Sequence, residues 1–201
     1  MPDSPIVANC DLITYAVKVN GLTIDSKYNV LSIIADNSIN RIPYCEIEIL
    51  DGNPDTEDFP ISDGSVFVPG NKIEVLAGYE NSNQTIFQGL IVRQGIQVRK
   101  EEGPVLIIVC KDESVKMTKA RKNAYYTNTT DSNIISTLIG NSKLSADVAS
   151  TSGQLKEVIQ YYATDWDFLL SRADVNGMVV VASNGTVSVK QPDSFTDEVL
   201  T

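Results

Sequence analysis

The 201-residue chain contains no histidine. Its absence removes the commonest general base and the commonest transition-metal ligand, so chemistry would have to be built from carboxylates, lysines or thiols. Cysteine is scarce. Cys10, Cys45 and Cys110 are odd in number and widely spaced, with no Cys-x-x-Cys, which argues against a disulfide framework and for reduced thiols. Cys45 and Cys110 fall in apolar strand patterns and are expected to be buried, inert packing residues. No stretch approaches the roughly 18–20 consecutive apolar residues of a membrane span. The first ten residues lack the basic and apolar regions of a signal peptide, and no hydrophobic core precedes Val7-Ala8-Asn9-Cys10 to make it a lipoprotein cleavage site. Synthesis in the cytoplasm, with no stable membrane anchor, is the expectation. Positive charge is also deficient: 16 Lys and Arg against 26 Asp and Glu give a net charge of −10. A chain this acidic repels phosphate backbones, which disfavours nucleic acid as a partner. One basic segment, Lys111 to Lys122, lies beside Tyr125 and Tyr126, a composition shared with single-strand binders. It reads more simply as a solvated strand exit that offsets an acidic neighbour.

What is present is, first, a period of two from Leu12 to Asp112, the mark of half-buried strands. Ile13, Tyr15, Val17 and Val19 share a face, and Asn20-Gly21 then supplies a type I′ turn into Leu22-Thr23-Ile24. Cys45, Ile47 and Ile49 alternate with Glu46 and Glu48. Further strands are expected at Ser65–Val68, Lys72–Tyr79, Thr85–Arg99 and Pro104–Asp112. The last holds six consecutive apolar residues, Val105 to Cys110, as for a strand covered on both sides. About seven strands predict a closed barrel or sandwich. After Asp112 the pattern changes. Thr130 caps a predicted helix from Asp131 to Ile139, with Gly140 as its stop. A polar stretch Asn141–Gly153 and a short strand Glu157–Tyr162 follow. Thr164 caps a second helix to Asn176, with Trp166, Leu169, Leu170 and Ala173 as its buried stripe and Gly177 as its end. Ser183-Asn184-Gly185 then turns a hairpin between Met178–Ala182 and Thr186–Lys190. The fold class is α+β, mainly β.

Catalytic constellations are hard to find. Asp51, Asn53 and Asp55 fill the first positions of a calcium loop, but Thr56 replaces its glycine and Ser62 its bidentate glutamate. The segment reads as an acidic surface loop. Asp165 and Asp167, two apart on a helix, point in different directions and suit the helix start rather than a shared substrate. No nucleophile elbow or phosphate-cradling glycine loop occurs. No enzyme activity, cofactor or metal is expected.

One segment, Gln160-Tyr161-Tyr162-Ala163-Thr164-Asp165-Trp166-Asp167-Phe168-Leu169-Leu170-Ser171-Arg172-Ala173-Asp174-Val175-Asn176-Gly177, resembles the "QY..TD.DFL.R..E..G" signature of VgrG-type spike and tail-hub proteins of contractile injection systems, including type VI secretion. Ile86-Phe87-Gln88-Gly89-Leu90-Ile91-Val92 is similar to the family's "F.G.I" strand. Cys110-Lys111-Asp112 with Arg121 to Tyr126 resembles its passage from barrel to helical insertion. The resemblance implies a tail-hub-like β-barrel over residues 1–112 and a helix-containing insertion with a hairpin over 113–192. Residues 193–201 would open a second barrel left incomplete, with the spike and any effector lying beyond Thr201. It carries over Gly89, Thr164, Asp165, Trp166, Asp167, Phe168, Arg172, Asn176 and Gly177 as signature positions, none of them catalytic. The implied function is structural: a homotrimeric hub that adapts a hexameric, Hcp-like inner tube to a puncturing needle within a baseplate. Such a hub is assembled in the cytoplasm and exported on firing. The alternatives are a baseplate hub attached to a lytic domain and a free-standing carbohydrate-binding barrel.

Overall fold

The computed structural model describes residues 13–25, 27–52, 58–79, 82–100 and 103–195. Cys10, Asn53, Asp55, Thr56 and the residues after Phe195 therefore lie outside the described residues. Seven strands open the chain: β1 (Ile13–Val19), β2 (Leu22–Thr23), β3 (Val30–Asp36), β4 (Tyr44–Leu50), β5 (Lys72–Tyr79), β6 (Ser82–Arg99) and β7 (Gly103–Lys111). They form one antiparallel sheet in the order β2-β1-β5-β6-β7-β4-β3. Asn20 and Gly21 both have positive φ (51° and 82°), the geometry expected of the first turn.

The sheet curls until side chains from its opposite ends meet. Val17 and Val19 of β1 share one core with Cys45, Ile47 and Ile49 of β4, and Val30 and Ile33 of β3 pack against it. No ladder joins β2 to β3 among the described residues, so side chains rather than hydrogen bonds close the curl. The six-residue apolar run of β7 is covered less evenly than its sequence predicts. Leu106, Ile108 and Cys110 are fully buried in the core, whereas Ile107 and Val109 on the other face are only half-buried. Cys45 and Cys110 are direct cross-strand partners, and burial pushes the Cys45 thiol up to about 12.

Two expectations for this half are corrected. Ser65–Val68 is a turn-rich loop, not a strand; Phe67 plugs the core from it, and the Asn71 amide donates to the Ser65 and Val66 carbonyls. Conversely β3, an edge strand with exposed Leu31 and Ile34, escapes sequence reading because its apolar residues do not alternate cleanly.

A 3-10 helix (Glu113–Thr118) leads into β8 (Arg121–Thr130), α1 (Asp131–Asn141), β9 (Ser145–Val148), β10 (Gln154–Thr164), α2 (Asp165–Val175), β11 (Val179–Ser183) and β12 (Thr186–Lys190). β8 and β10 make a two-stranded ribbon. β11 and β12 form the expected hairpin around Asn184-Gly185, and β9 joins β12 in parallel. β8 and β9 were not expected, because both are polar and sit outside any alternating apolar pattern.

Both helices begin at the threonines predicted to cap them: Thr130 accepts from the Asn133 amide and Thr164 from the Asp167 amide. Gly140 does not stop α1. The helix runs on to Asn141 with Ser142 as its cap and Lys143 in the left-handed conformation (φ 58°), and the amides of Lys143 and Leu144 bond back to the Gly140 and Ile139 carbonyls. A second core gathers Ile134, Ile135, Leu138 and Ile139 of α1, Trp166, Phe168 and Leu169 of α2, and Val180, Val187 and Val189 of the hairpin. Phe168 is buried where Leu170 was expected, and Leu170 is only half-buried.

Among the described residues the halves are tied by the Lys72–Glu113 ion pair, by Ile42 packing on the second core, and by two sets of hydrogen bonds. The Asn40 amide donates to the Val180 carbonyl and Asn40 Oδ1 accepts from the Val180 amide, each at 2.8 Å. The carboxylate of Asp112, itself buried, accepts from the Ser114 and Gly185 amides at 2.7 and 3.0 Å.

Candidate functional site

The signature residues converge around α2. Asp165, only 2% exposed, receives Gln160 Nε2 on one oxygen (3.1 Å) and Lys122 Nζ on the other (2.5 Å). Gln160, also buried, accepts from the Tyr126 hydroxyl at 3.3 Å. Burial, and then the charge of Asp165, raises the Tyr126 phenol above its ordinary value. Asp167 stays exposed and accepts from the Thr164 hydroxyl at 2.7 Å, so the two acids point apart and do separate work. The Phe168 ring lies over Tyr126, with centroids 6.0 Å apart and planes 17° apart.

Two turns further along α2, Arg172 makes a two-pronged bond to Asp131 at the start of α1 (2.5 and 3.0 Å). Asn176 adds a third donor at 3.0 Å. Burial pushes the Asp131 carboxyl up, but these hydrogen bonds and the Arg172 charge outweigh it and hold the group below the usual carboxylate range. Gly177, with φ 62°, takes the left-handed position that ends α2, and the Met178 amide returns to the Ala173 carbonyl.

Gly89 serves a different need. A Cβ there would lie 2.2 Å from the Lys111 carbonyl oxygen, so β6 and β7 approach more closely than any side chain permits. The structure therefore gathers Thr164, Asp165, Trp166, Asp167, Phe168, Arg172, Asn176 and Gly177 about one helix and leaves Gly89 in the other sheet. Sequence reasoning missed the partners Lys122 and Asp131. The only signal for Asp131 was a carboxylate directly after a capping threonine, which helix-start electrostatics already explains. Asp51, the first residue of the calcium-like loop, is buried, and its carboxylate accepts from the Gly52, Ile61 and Ser62 amides. Its role there is to shape the loop.

None of these contacts aligns a nucleophile with a base. The exposed chemistry is apolar and aromatic instead. In the ribbon, Tyr161 and Tyr162 of β10 bulge opposite the single residue Asn123 of β8. Tyr162 has φ 45°, its amide bonds Asn123 Oδ1 at 2.7 Å, and the Arg121 guanidinium stacks over its ring at 5.2 Å. Tyr125, Ile159, Tyr161 (82% exposed) and Tyr162 all face solvent. At one end of the first sheet, Ile13 and Tyr79 form an exposed cross-strand pair.

This architecture is the tail-hub fold. It is similar to the 43 kDa tail protein of prophage MuSo2 from Shewanella oneidensis, with TM-score 0.65 and 12% identity over 89% of this chain and 53% of that one. It is also similar to the E. coli c3393 protein, a type VI secretion component described as resembling phage T4 tail proteins gp27 and gp5 (TM-score 0.60, 14% identity, 86% and 47%). A third likeness is to the Francisella PdpA–VgrG complex, at TM-score 0.56 and 10% identity over 94% of this chain and 30% of that one. The chain thus spans about half the length of the first two and less of the third. The model of the Alg8 N-terminal domain family matches residues 9–201, and the chain belongs to that family. No curated protein matches it. No helix among the described residues is long and apolar enough to cross a membrane.

Proposed function

We propose that this chain is the N-terminal part of a spike-baseplate hub in a contractile, phage-tail-like injection system. The observation that carries this reading is the fold likeness to tail and type VI secretion proteins along nearly all of this chain and only about half of theirs. Residues 1–112 act as the first tube-forming barrel, residues 113–192 as the helical insertion, and residues 193–201 lead toward the rest of the hub. In the whole protein three copies form a ring that joins an Hcp-like inner tube to a needle, with baseplate proteins around it and effectors carried beyond Thr201. Function lies in shape and stiffness, without catalysis. The contacts of Thr164 and Gly177, which cap α2, and of Asp165, Arg172 and Asn176, which fix it to its neighbours, support that view, since none of them pairs a nucleophile with a base. The protein is assembled in the cytoplasm and leaves the cell when the particle fires.

The test is purification of tagged full-length protein from its native host. Inner-tube, sheath and baseplate proteins should copurify, and gold-labelled tag should sit at one end of extended particles. A full-length protein that copurifies with none of them and decorates no particle would remove the hub assignment. Glycan binding by residues 1–201 that is lost on Tyr161→Ala would favour the carbohydrate-binding alternative.

A further inference from the structure

The basic segment noticed in the sequence acquires a definite shape in the fold. A cleft of about 350 Å³ opens where the 3-10 helix, the start of β8, the end of α1 and the start of α2 meet. Its wall includes Lys116, Lys119, Lys122 and Lys143, a quarter of the 16 cationic side chains of a protein with net charge −10. Asp165 is the one carboxylate in the wall. Both its oxygens are already engaged, one by Gln160 and one by Lys122, so it anchors a lysine rather than presenting a free acceptor. Lys116 is likewise steadied by Glu113. The last-turn carbonyls of Ile139 and Gly140 are taken up by the helix-ending amides. Asn141 and Ser142 add an amide and a hydroxyl at the rim, and Met117 and Ala120 supply apolar surface.

We infer that this cleft is a binding site for a phosphate-bearing small molecule. What it offers is almost wholly donors, which suits an oxyanion. Lysines bind phosphate as point charges, without the directional fork of arginine, so several converging on one cleft suit a group that carries more than one negative charge. The volume lies at the lower end of the roughly 300–1,000 Å³ range of small-molecule pockets. Lys122 and Lys116 are held in place by their acids, while Lys119 and Lys143 are exposed and can close over a ligand. The site does not depend on the hub assignment, because it rests on the cleft alone.

The experiment is calorimetric titration of the 201-residue chain with inorganic pyrophosphate at low ionic strength, with sodium chloride at matched ionic strength as control. Saturable binding is expected, weakened at least about tenfold by Lys119→Glu with Lys143→Glu, since two attractions become repulsions. Lys119→Arg should retain it. Circular dichroism and the ligand-free melting temperature report whether the double variant folds, and Lys119→Glu alone serves if it does not. Vesicles containing phosphatidic acid form a second arm. Sedimentation with them that needs the same two lysines would identify the phosphate as a lipid headgroup, and pyrophosphate binding alone would identify a free one. Heat no greater than that of chloride, or binding unchanged by the charge reversals, would overturn the site.

Discussion

Removing the indole of Trp166 opens a cavity beneath α2, because the ring is 5% exposed and packs in the second core. Trp166→Ala is expected to cost about 3–5 kcal/mol, read from denaturant midpoints. A loss below about 1 kcal/mol would mean the ring does not fill the core. Arg172 tests electrostatics. Asp131 is held below its ordinary value in the folded protein, so the unfolded chain takes up the proton first as pH falls. The stability it contributes is complete above the unfolded value of about 4 and is lost as pH drops through the folded one. Arg172→Met leaves a buried carboxylate without its cation and should cost about 3–5 kcal/mol at neutral pH. Without the cation, burial pushes the Asp131 carboxyl above the unfolded value, so the variant regains stability as pH falls to about 4, and the wild type loses stability below about 4. The gap between the two melting curves should therefore begin to narrow above about pH 4 and go on narrowing below it. A gap independent of pH would show that the pair carries no net electrostatic weight.

The two helix ends offer a matched comparison at the scale of the element. α1 and α2 both finish with a left-handed residue, but α2 uses Gly177 and α1 uses Lys143, at φ 62° and 58°. Gly177→Ala should therefore cost about 1 kcal/mol and Lys143→Gly should gain a few tenths or more, since a Cβ in this conformation costs roughly 1–2 kcal/mol. Opposite-signed shifts in melting temperature are the expected result, and two losses would contradict it. The same pair shows what was legible in the sequence. Gly177 announced the end of α2, and Asn20-Gly21 and Asn184-Gly185 announced their turns, because glycine and asparagine are local signals for positive φ. Lys143 carries no such signal, so Gly140 was expected to stop a helix that runs past it. β4 and β5 were readable from alternation against a core, and β7 from its unbroken apolar run. β8 and β9 were not, because their polar side chains are held in strands by partners far along the chain, β10 and β12. For the candidate site, the signature segment gave the helix and its caps. Lys122 and Asp131, 43 and 41 residues from their partners, became visible only through the fold.

For the whole molecule, assembly is the quantity that decides between a hub and a free-standing module. The full-length protein is expected to be a homotrimer, and residues 1–201 alone a monomer or a weakly associating species. A ring in which three chains each give two barrels needs heterologous contacts between a first barrel and a neighbour's second barrel, and on the proposed assignment this stretch carries the first. Among the described residues its curled sheet leaves β2 and β3 as unjoined edges and exposes the Ile13–Tyr79 pair, surface that such a contact would cover. Charge opposes filling that surface with another copy of the same fragment. The net charge is −10, although not every carboxylate of the first sheet and its loops faces outward freely, since Asp51 is buried and Glu48 is bonded to Arg99 and Ser32. Raising salt from about 10 mM to 0.1 M shortens the screening length from about 30 to 10 Å, so any self-association of the fragment should strengthen rather than weaken. Ile13→Ser with Tyr79→Ser should leave fragment stability within about 0.5 kcal/mol, since both side chains are exposed, while shifting the full-length trimer toward monomer. Sedimentation velocity on both lengths, with and without these changes, measures all of this. A tight trimer of residues 1–201 would place every needed contact inside this stretch, and a monomeric full-length protein would end the hub assignment.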